Sequence, residues 1–318
     1  MLELNYVREN PEAVKASLDK RGDAESKKRL ERVLENDASW REKKKRLDDL
    51  RHERNNLSEQ IKKAKQEGGD AESLIEKAKT LPKEISVLEE EAGSLMDELR
   101  GDLMRLPNIL HESVPAGEGE EDNLEVKTWG MLKEHDFELR HHGDLAVELG
   151  LADFERAVKT SGSGFYILKG ELALIELALQ AKAVQMLSER GYTLIQPPLM
   201  MRRKPYEGVT DLADFQDVMY KIEGEDEYLI ATSEHPLAAM HMDEFMDSSE
   251  LPSRYCGVSP CFRREIGKHG IDERGLFRVH QFNKVEQFIY CKPEDSWSLH
   301  RELLENAEEF MKKLEIPY

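Results

Sequence analysis

Residues 255–290 hold the densest group of side chains that could do chemistry. Two runs, 255–265 and 276–290, flank a loop with three glycines and predict an antiparallel strand pair. Every second residue of a strand shares a face. One face of the second strand would carry Arg278, His280, Phe282, Lys284 and Glu286. Guanidinium and carboxylate groups around an aromatic ring suit a ligand with phosphates, a flat ring and a polar head. The alternative is an edge hairpin with a solvated outer face.

Two cysteines in the same region raise a metal-binding alternative. Cys256 and Cys261 are separated by four residues, and His269 and His280 follow them. The spacing of these residues fits neither a CxxC knuckle nor a usual zinc finger, and the cysteines fall within a predicted strand. We therefore predict no metal site in this chain.

The first 110 residues have a helical pattern. Between residues 70 and 101 the apolar side chains are spaced alternately by four and three residues, which is typical of a coiled-coil seam. These side chains are Leu74, Ala78, Leu81, Ile85, Leu88, Ala92, Leu95 and Leu99. A less regular stripe in residues 27–65 and a turn with Gly68 and Gly69 predict an antiparallel helical hairpin. Pro82 lies inside the second helix, where it is expected to kink or end it.

Charge is distributed unevenly along the chain. The 318 residues include 46 Lys and Arg against 65 Asp and Glu, a net charge of −19 that alone argues against a nucleic-acid partner. Residues 27–65 nevertheless carry a net charge of +6, and residues 70–101 carry −5. Two interpretations stay open: a solvated coiled coil with interhelical ion pairs, or a basic stripe that docks on a phosphate backbone.

The remaining segments indicate a linker followed by a mixed α/β region. Residues 107–130 are rich in Pro, Gly, Glu and Asp, which is typical of a linker. Residues 171–190 predict an amphipathic helix that ends at Gly191, and residues 192–196 predict a strand. No run approaches eighteen apolar residues, so no membrane span is predicted. The charged N-terminus lacks a secretory signal, and three cysteines fit a reducing cytosol.

Several of these segments together resemble the seryl-tRNA synthetases, which are class II aminoacyl-tRNA synthetases. Three stretches of the sequence resemble motif 2 of this family: FRRE at 262–265, RGLFRVHQF at 274–282 and KVE at 284–286. Residues 191–198 resemble motif 1, the helix and strand of the class II dimer interface. Thr232-Ser233-Glu234 resembles the serine-binding TxE loop, and the N-terminal hairpin resembles the tRNA-binding arm. The resemblance covers essentially the whole chain.

The resemblance implies an α+β fold, in which an antiparallel coiled-coil helical hairpin precedes a class II antiparallel sheet with flanking helices. It divides the chain into a tRNA-binding arm at 1–108, a linker at 109–130 and a partial catalytic domain at 131–318. The family continues beyond a position like Tyr318, with motif 3, an arginine for the ATP γ-phosphate and an acidic ligand for Mg²⁺. We therefore expect a C-terminally truncated synthetase with impaired catalysis.

The resemblance also implies roles for individual residues. Arg263 would be the catalytic residue, contacting the ATP α-phosphate and the serine carboxylate, because a guanidinium stays charged and binds two oxygens at once. Glu265 would contact the adenine amino group, and Phe282 would stack on the adenine ring. Glu286 would accept a hydrogen bond from the serine hydroxyl. Arg264, Arg278, Val279, His280 and Gln281 would complete the ATP site, with Arg278 near the outer phosphates, and Thr232, Ser233 and Glu234 would complete the serine site.

The implied activity is that of a serine–tRNA ligase, which forms seryl-adenylate from serine and ATP with Mg²⁺ and transfers the seryl group to tRNA(Ser). In the family, tRNA(Sec) is usually a further acceptor. The implied partners are tRNA on the coiled-coil arm and a second copy of the chain through motif 1, in the cytoplasm and without a membrane. The proposed phosphate contacts of the arm are Arg51, Arg54, Lys62, Lys63 and Lys65. The alternative is a truncated, catalytically impaired synthetase-like tRNA-binding protein.

Overall fold

The computed structural model describes residues 2–67, 71–117, 119–210, 218–264 and 276–318. The chain divides into two compact units, Met1–Leu124 and Glu125–Tyr318. The helices of the first unit are α1 (Leu4–Glu9), α2 (Pro11–Lys20), α3 (Ala24–Gln66) and α4 (Glu72–Leu103). The second unit contains α5 (His142–Glu148), α6 (Phe154–Ser161), α7 (Gly170–Glu189), β1 (Thr193–Ile195), β2 (Met200–Arg202), α8 (Arg203–Glu207), β3 (Glu227–Leu229), α9 (Glu234–Ala239), β4 (Ser253–Phe262), β5 (Gln281–Tyr290) and α10 (Ser296–Lys313).

The first unit is built on the hairpin of α3 and α4, which confirms the predicted helical arm. Asp23 begins α3, because its carboxylate accepts hydrogen bonds from the Glu25 and Ser26 amides at 3.1 and 2.9 Å. The 43 residues of α3 give it a length on the order of 65 Å. The buried leucines of α3 pack on Leu81 and Ile85 of α4 along the predicted seam.

Pro82 does not end α4, so one of its two expected effects is excluded. The helix continues through Pro82 from Glu72 to Leu103. The neighbouring side chains of Leu81 and Ile85 are each only 5% exposed in the contact with α3. Most helical stability in proteins comes from packing of the apolar face, and this packing compensates for the backbone hydrogen bond that proline removes.

Ion pairs join the two helices along the outside of the hairpin. Arg32 pairs with Asp102 at 2.6 Å, and Lys43 pairs with Glu91 at 2.5 Å. Arg51 pairs with Glu89 at 2.7 Å nearer the tip. The basic stripe of α3 and the acidic stripe of α4 therefore neutralise each other over much of the arm, as the coiled-coil interpretation expects.

A buried carboxylate fixes α1 to the base of the arm. The side chain of Asp37 on α3 is 1% exposed, and its two oxygens accept hydrogen bonds from Arg8 at 2.7 and 2.8 Å. Arg41 donates to the same carboxylate at 3.0 Å. The hydrogen bonds from Arg8 hold the pKa of Asp37 below its ordinary value, although burial opposes them, and the charges of Arg8 and Arg41 add to the effect.

Replacing Asp37 with asparagine is expected to destabilise the arm at neutral pH by about 2 kcal/mol, because two guanidinium groups lose their counter-charge. A lowered pKa stabilises the fold above the ordinary carboxyl pKa, and this stabilisation is lost as pH falls through the lowered value. The difference between Asp37→Asn and the unchanged chain should therefore shrink in acid. Urea unfolding followed by circular dichroism, at about pH 7 and about pH 3, measures it.

Asp19→Asn is the matched control, since Asp19 forms an exposed ion pair with Lys27 in the same unit. Its removal is expected to change the unfolding midpoint less than Asp37→Asn does. Equal midpoint shifts for the two variants would contradict the assigned role of Asp37.

The second unit is organised around a three-stranded sheet in the order β1-β4-β5, beside a two-stranded sheet of β2 and β3. β1 lies parallel to β4, and β4 lies antiparallel to β5, from the Ser253–Tyr290 pair to the Phe262–Gln281 pair. Helix α7 and its following strand β1 match the predicted helix and strand closely. Gly191 ends α7 with φ +84°, a backbone conformation that favours glycine.

The predicted strand pair extends less far than the sequence indicates. β5 begins at Gln281, so Arg278 and His280 precede the strand instead of lying on it. The His280 amide donates to the Gly164 carbonyl at 2.8 Å, which draws this part of the chain away from the ladder. A segment far earlier in the sequence therefore sets the strand end.

No helix in the part of the chain that the structure describes is both long and apolar enough to span a membrane.

Candidate active site

The predicted serine-binding residues meet the predicted motif 2 strands on one face of the sheet. Glu286 of β5 lies opposite Gly257 of β4 in the antiparallel register. A Cβ atom on Gly257 would lie 2.7 Å from the Ser233 hydroxyl oxygen and 2.8 Å from a methyl group of Leu237. Only glycine leaves room here, so Gly257 allows the segment 231–234 to lie directly against the sheet beside Glu286.

The Glu286 carboxylate joins this segment to β5. Its Oε2 atom accepts hydrogen bonds from the Thr232 hydroxyl, from the Ser233 hydroxyl at 3.3 Å and from the Glu234 amide at 3.2 Å. Its Oε1 atom lies 2.7 Å from Lys284 Nζ, which also donates to Thr232 Oγ1 at 2.8 Å. The structure thus brings together Thr232, Ser233, the Glu234 backbone and Glu286, while the Glu234 carboxylate is exposed.

Glu286 is held in its charged form. Burial pushes the pKa of its carboxyl upward, because the side chain is only 13% exposed. Hydrogen bonds from Lys284 and Thr232, the charge of Lys284 and the Glu234 amide outweigh burial and lower the pKa below its ordinary value. At neutral pH the carboxylate can only accept hydrogen bonds, so it is suited to hold a ligand that donates one.

Arg263 lies immediately after β4, beside the same segment. Its Nε atom donates to the Ala231 carbonyl at 3.4 Å, and its amide donates to the His280 carbonyl at 2.9 Å. The centre of its guanidinium group lies 5.2 Å from the centroid of the Phe282 ring, within the range of a cation–π contact. A permanent positive charge therefore lies next to the half-buried Phe282 ring and next to the 231–234 segment.

His280 is fixed by neighbours from two other segments. Its Nδ1 atom lies 2.6 Å from the Tyr220 hydroxyl, and its ring stacks on Phe165 with centroids 5.2 Å apart. Gly164 has φ +78°, and a Cβ atom there would collide with the His280 ring. Val279 beside it is buried. His280 is thus held firmly by protein contacts close to Arg263.

Three other predicted nucleotide-site residues are exposed or half-buried. Arg264 is exposed, and its amide donates to the Val218 carbonyl at 2.8 Å. Arg278 is half-buried, and Gln281 is exposed at the first position of β5. Glu265, and the alternative zinc ligand His269, lie outside the described residues.

Lys284 is a site residue to which the sequence assigned no role. The alternation of β5 places it between Phe282 and Glu286 on the same face, so its position was available from the pattern. Its function was not, because the pattern does not reveal that a lysine bridges Glu286 and Thr232. Gly164 and Gly257 were missed for a similar reason, since each contacts a partner distant in sequence.

The cysteines of the zinc alternative lie in different surroundings. Cys256 packs with Leu187 and Tyr192 in an apolar cluster, and burial raises the pKa of its thiol to about 11. Cys261 is five positions further along β4 and therefore on the opposite face. Among the described residues, no group of three or more His, Cys, Asp or Glu side chains could hold a metal ion.

The predicted phosphate-contacting residues of the arm fall into two groups. Arg51 is already paired with Glu89 across the hairpin. Four others near the tip are exposed and form no ion pair within residues 2–67 and 71–124: Arg54, Lys62, Lys63 and Lys65. These four side chains are the ones available to bind an external anion.

Family models match both parts of this architecture. The model of the seryl-tRNA synthetase N-terminal domain matches residues 1–110, which contain the arm. The model of the tRNA synthetase class II core domain (G, H, P, S and T) matches residues 219–318, which contain the 231–234 segment and the β4–β5 pair. The second unit is therefore a class II aminoacyl-tRNA synthetase core.

Similar proteins narrow the class further. The chain is 56% identical over 318 residues to the serine–tRNA ligase of Methanoculleus marisnigri and 52% identical to that of Methanoregula boonei. Each match covers all of this chain and 75% of the relative. The chain belongs to the seryl-tRNA synthetase family, and it spans about three quarters of the length of these relatives.

Solved structures agree with this assignment. The seryl-tRNA synthetase of Pyrococcus horikoshii, complexed with ATP, is 45% identical and superposes with a TM-score of 0.91 over all of this chain and 76% of its own. The cytoplasmic serine–tRNA ligase of Naegleria fowleri, in complex with AMP, is 35% identical, with a TM-score of 0.84 over all of this chain and 74% of its own.

Proposed function

We propose that this chain binds serine and ATP, forms seryl-adenylate and transfers the seryl group to tRNA(Ser). The observation that carries the proposal is the charged Glu286 carboxylate, which lies beside Thr232, Ser233 and Arg263 on one face of the β4–β5 pair. The family of the chain supports the same reaction. The tRNA(Sec) acceptor is part of the same proposal.

Serine selectivity follows from the chemistry of Glu286. The serine hydroxyl can donate a hydrogen bond to the carboxylate, whereas alanine would leave a buried charge without that partner. A site built to bind a substrate hydroxyl rejects the analogue that lacks it by roughly 10⁴-fold or more. Threonine has the hydroxyl and must be excluded by the space around its methyl group. We propose that Thr232 and the exposed Glu234 carboxylate bind the serine ammonium group.

Activation would depend on Arg263. The serine carboxylate is ionised at neutral pH, so it attacks the α-phosphorus without a general base. A bond forms between a carboxylate oxygen and the α-phosphorus, the bond to the β-phosphate breaks, and pyrophosphate leaves. The Arg263 guanidinium would neutralise the charge that gathers where these groups meet, and Phe282 would support the adenine ring. A terminal ribose hydroxyl of tRNA would then attack the seryl carbonyl and release AMP.

Mg²⁺ is proposed only as the ion that accompanies the phosphates of ATP. Among the described residues, no group of three or more His, Cys, Asp or Glu side chains could hold this ion, so in this proposal the ATP phosphates hold it.

We further propose that the hairpin tip binds the phosphate backbone of tRNA. The four exposed basic residues there lack ion-pair partners within residues 2–67 and 71–124, while Arg51 is paired. Cations that are free to release phosphate counterions contribute most to nucleic-acid affinity. Proteins often recognise RNA helices through shape and backbone, so this surface can bind without reading bases.

Replacing Lys62, Lys63 and Lys65 with glutamine is expected to weaken tRNA(Ser) binding and to reduce its salt dependence. The slope of log Kd against log salt should fall by about one for each lysine that contacts a phosphate. Filter binding over a salt series measures this. The matched control replaces Lys127, Lys312 and Lys313, which are paired with glutamates in the other unit. Equal losses in both triple variants would contradict the arm proposal.

A second copy of the chain is the proposed partner of α7. Three large apolar side chains of this helix are more than half exposed: Leu174 at 66%, Ile175 at 54% and Leu177 at 60%. A contiguous apolar surface of this kind is typical of an interface. Analytical ultracentrifugation should detect a dimer, and a purely monomeric chain at micromolar concentration would contradict the proposal. A cytoplasmic location is part of the same proposal and is testable by cell fractionation.

Serine-dependent exchange of labelled pyrophosphate into ATP tests the proposed reaction on the 318-residue chain. We expect exchange with serine and none with alanine or threonine. Equal exchange with serine and with alanine would contradict the proposed selectivity. Absent exchange together with intact tRNA binding would favour the non-catalytic alternative.

A further inference from the structure

We propose that Tyr206 and His235 are positioning residues that hold the 231–234 segment in its serine-binding geometry; this inference depends on the proposed function. Tyr206 is fully buried on α8, and His235 is 8% exposed on α9. The Tyr206 hydroxyl lies 2.9 Å from His235 Nδ1 and accepts a hydrogen bond from the Ala231 amide at 3.1 Å. One hydroxyl group thus contacts the residue before the segment Thr232–Glu234 and the residue after it.

The Tyr206 hydroxyl has several hydrogen-bond partners. Its oxygen accepts the Ala231 amide proton, and its own proton has acceptors within reach. Met219 Sδ lies at 3.3 Å and the Leu229 carbonyl at 3.4 Å. His235 Nδ1 is nearer, at 2.9 Å, and the imidazole tautomer decides which of the two groups donates in that contact.

The buried surroundings keep the His235 imidazole neutral. Burial lowers the pKa of the imidazole to about 4, so the ring is neutral at physiological pH. The charged groups that act on the ring are Glu286, Lys284 and Arg263, which are the residues of the site itself. The charged groups of the proposed serine site therefore act on the His235 ring, although no contact with substrate is assigned to His235.

The Ala231 backbone connects Tyr206 and His235 to Arg263. Its amide donates to Tyr206, and its carbonyl accepts from Arg263 Nε at 3.4 Å. Ile230, the residue before it, is anchored by backbone hydrogen bonds to Leu199 at 3.0 Å and Phe262 at 2.9 Å. The backbone before Thr232 is therefore held by hydrogen bonds at both Ile230 and Ala231, and this directs the Thr232 hydroxyl toward Glu286.

Packing alone would not require these polar groups. Tyr206 lies in a cluster of buried side chains with Met201, Met219 and Ile230, where phenylalanine would fill the same space. A buried hydroxyl and imidazole are retained at a cost unless both are hydrogen-bonded. Their partners include each other and the Ala231 amide, so part of this polar chemistry is directed at the 231–234 segment.

Tyr206→Phe tests the inference on the 318-residue chain. It removes the hydroxyl and leaves the Ala231 amide and His235 without this partner. We expect the serine Kd, measured by isothermal titration calorimetry, to rise about tenfold, while the ATP Kd changes by less than about twofold. A residue that only supports folding would weaken both ligands together or neither. Tyr192→Phe is the matched control, because Tyr192 is also buried and its hydroxyl contacts Glu302 at 2.9 Å.

A pair of His235 variants separates hydrogen bonding from packing, and it applies even if Tyr206→Phe fails to fold. His235→Asn keeps a hydrogen-bonding group near the position of Nδ1, whereas His235→Leu fills the space without one. We expect serine affinity near that of the unchanged chain for His235→Asn. For His235→Leu we expect a loss no larger than that of Tyr206→Phe, which also removes the Ala231 hydrogen bond. Combining the two substitutions should add no further loss, because Tyr206→Phe already breaks the contact with His235.

The outcomes distinguish this inference from the proposed function. If the unchanged chain binds serine and the variants Tyr206→Phe and His235→Leu bind it equally well, the positioning role is overturned and the proposed function stands. If ATP and serine affinities fall in parallel in these variants, the positioning role is also overturned. If the unchanged chain does not bind serine, the proposed function fails, and this inference fails with it.

Discussion

Glu286→Gln is expected to weaken serine binding by at least about 100-fold, an effect of about 3 kcal/mol. Glutamine keeps the shape of the side chain but removes the charge that accepts hydrogen bonds from Thr232 and Ser233. It also leaves Lys284 without its counter-charge at 2.7 Å. Calorimetric titration with serine measures the loss. ATP affinity should change little, because Glu286 forms no hydrogen bond or ion pair with those predicted nucleotide residues that the structure describes.

Glu302→Gln provides a matched control for this variant. Glu302 is also a half-buried carboxylate of the second unit, and it accepts hydrogen bonds from Arg254 at 2.8 and 2.9 Å and from Tyr192 at 2.9 Å. The same loss of charge there is expected to affect stability and to leave serine affinity unchanged. Unaltered serine binding by Glu286→Gln, or equal losses in both variants, would contradict the role assigned to Glu286.

Arg263→Lys is expected to slow serine-dependent pyrophosphate exchange by about 100-fold while preserving the charge. Lysine lacks the planar fork that can bind the α-phosphate and the serine carboxylate together. It also loses the geometry of the contact with Phe282, whose ring centroid lies 5.2 Å from the guanidinium carbon. The rate at saturating serine and ATP separates this effect from simple loss of binding.

Arg254→Lys is the corresponding control at the opposite end of β4. Arg254 binds both oxygens of Glu302, so the same chemical change breaks a paired guanidinium remote from the predicted site. We expect near-normal exchange from this variant. If Arg263→Lys retains the full rate, then the guanidinium is not the group that neutralises charge in the reaction.

The helical arm was largely predictable because its information is local. The four-three spacing from Leu74 to Leu99 specifies a seam on one helix face, and burial of Leu81 and Ile85 agrees with it. The persistence of α4 through Pro82 was not predictable. It depends on the packing of α4 against α3, and the effect of proline on an isolated helix does not account for that packing.

The active-site strands were predictable in type and less so in extent. Alternation along residues 281–290 correctly placed Phe282, Lys284 and Glu286 on one face. It wrongly extended the strand to Arg278, because the bond from the His280 amide to Gly164 involves a residue more than one hundred positions earlier. Tyr206 and His235 were not identified for the same reason, since no sequence pattern indicates that they meet across 29 positions.

The net charge of the chain sums segments that carry opposite charges. The overall −19 argues against binding RNA, yet residues 27–65 carry +6. Part of that positive charge is neutralised in the arm, as in the pair of Arg51 and Glu89 at 2.7 Å. The exposed lysines near the tip keep theirs, because no acidic residue pairs with them in the described part of the arm. The distribution of charge along the arm therefore supports the proposed tRNA-binding surface, whereas the net charge argues against it.

We propose that the site around Glu286 selects serine by its hydroxyl. Calorimetric binding of two non-hydrolysable adenylate analogues, one with a seryl group and one with an alanyl group, tests this selectivity without depending on turnover. We expect the 318-residue chain to bind the seryl analogue more tightly by roughly 10³-fold or more, and Glu286→Gln to remove most of this difference. Equal affinity for the two analogues in the unchanged chain would contradict it.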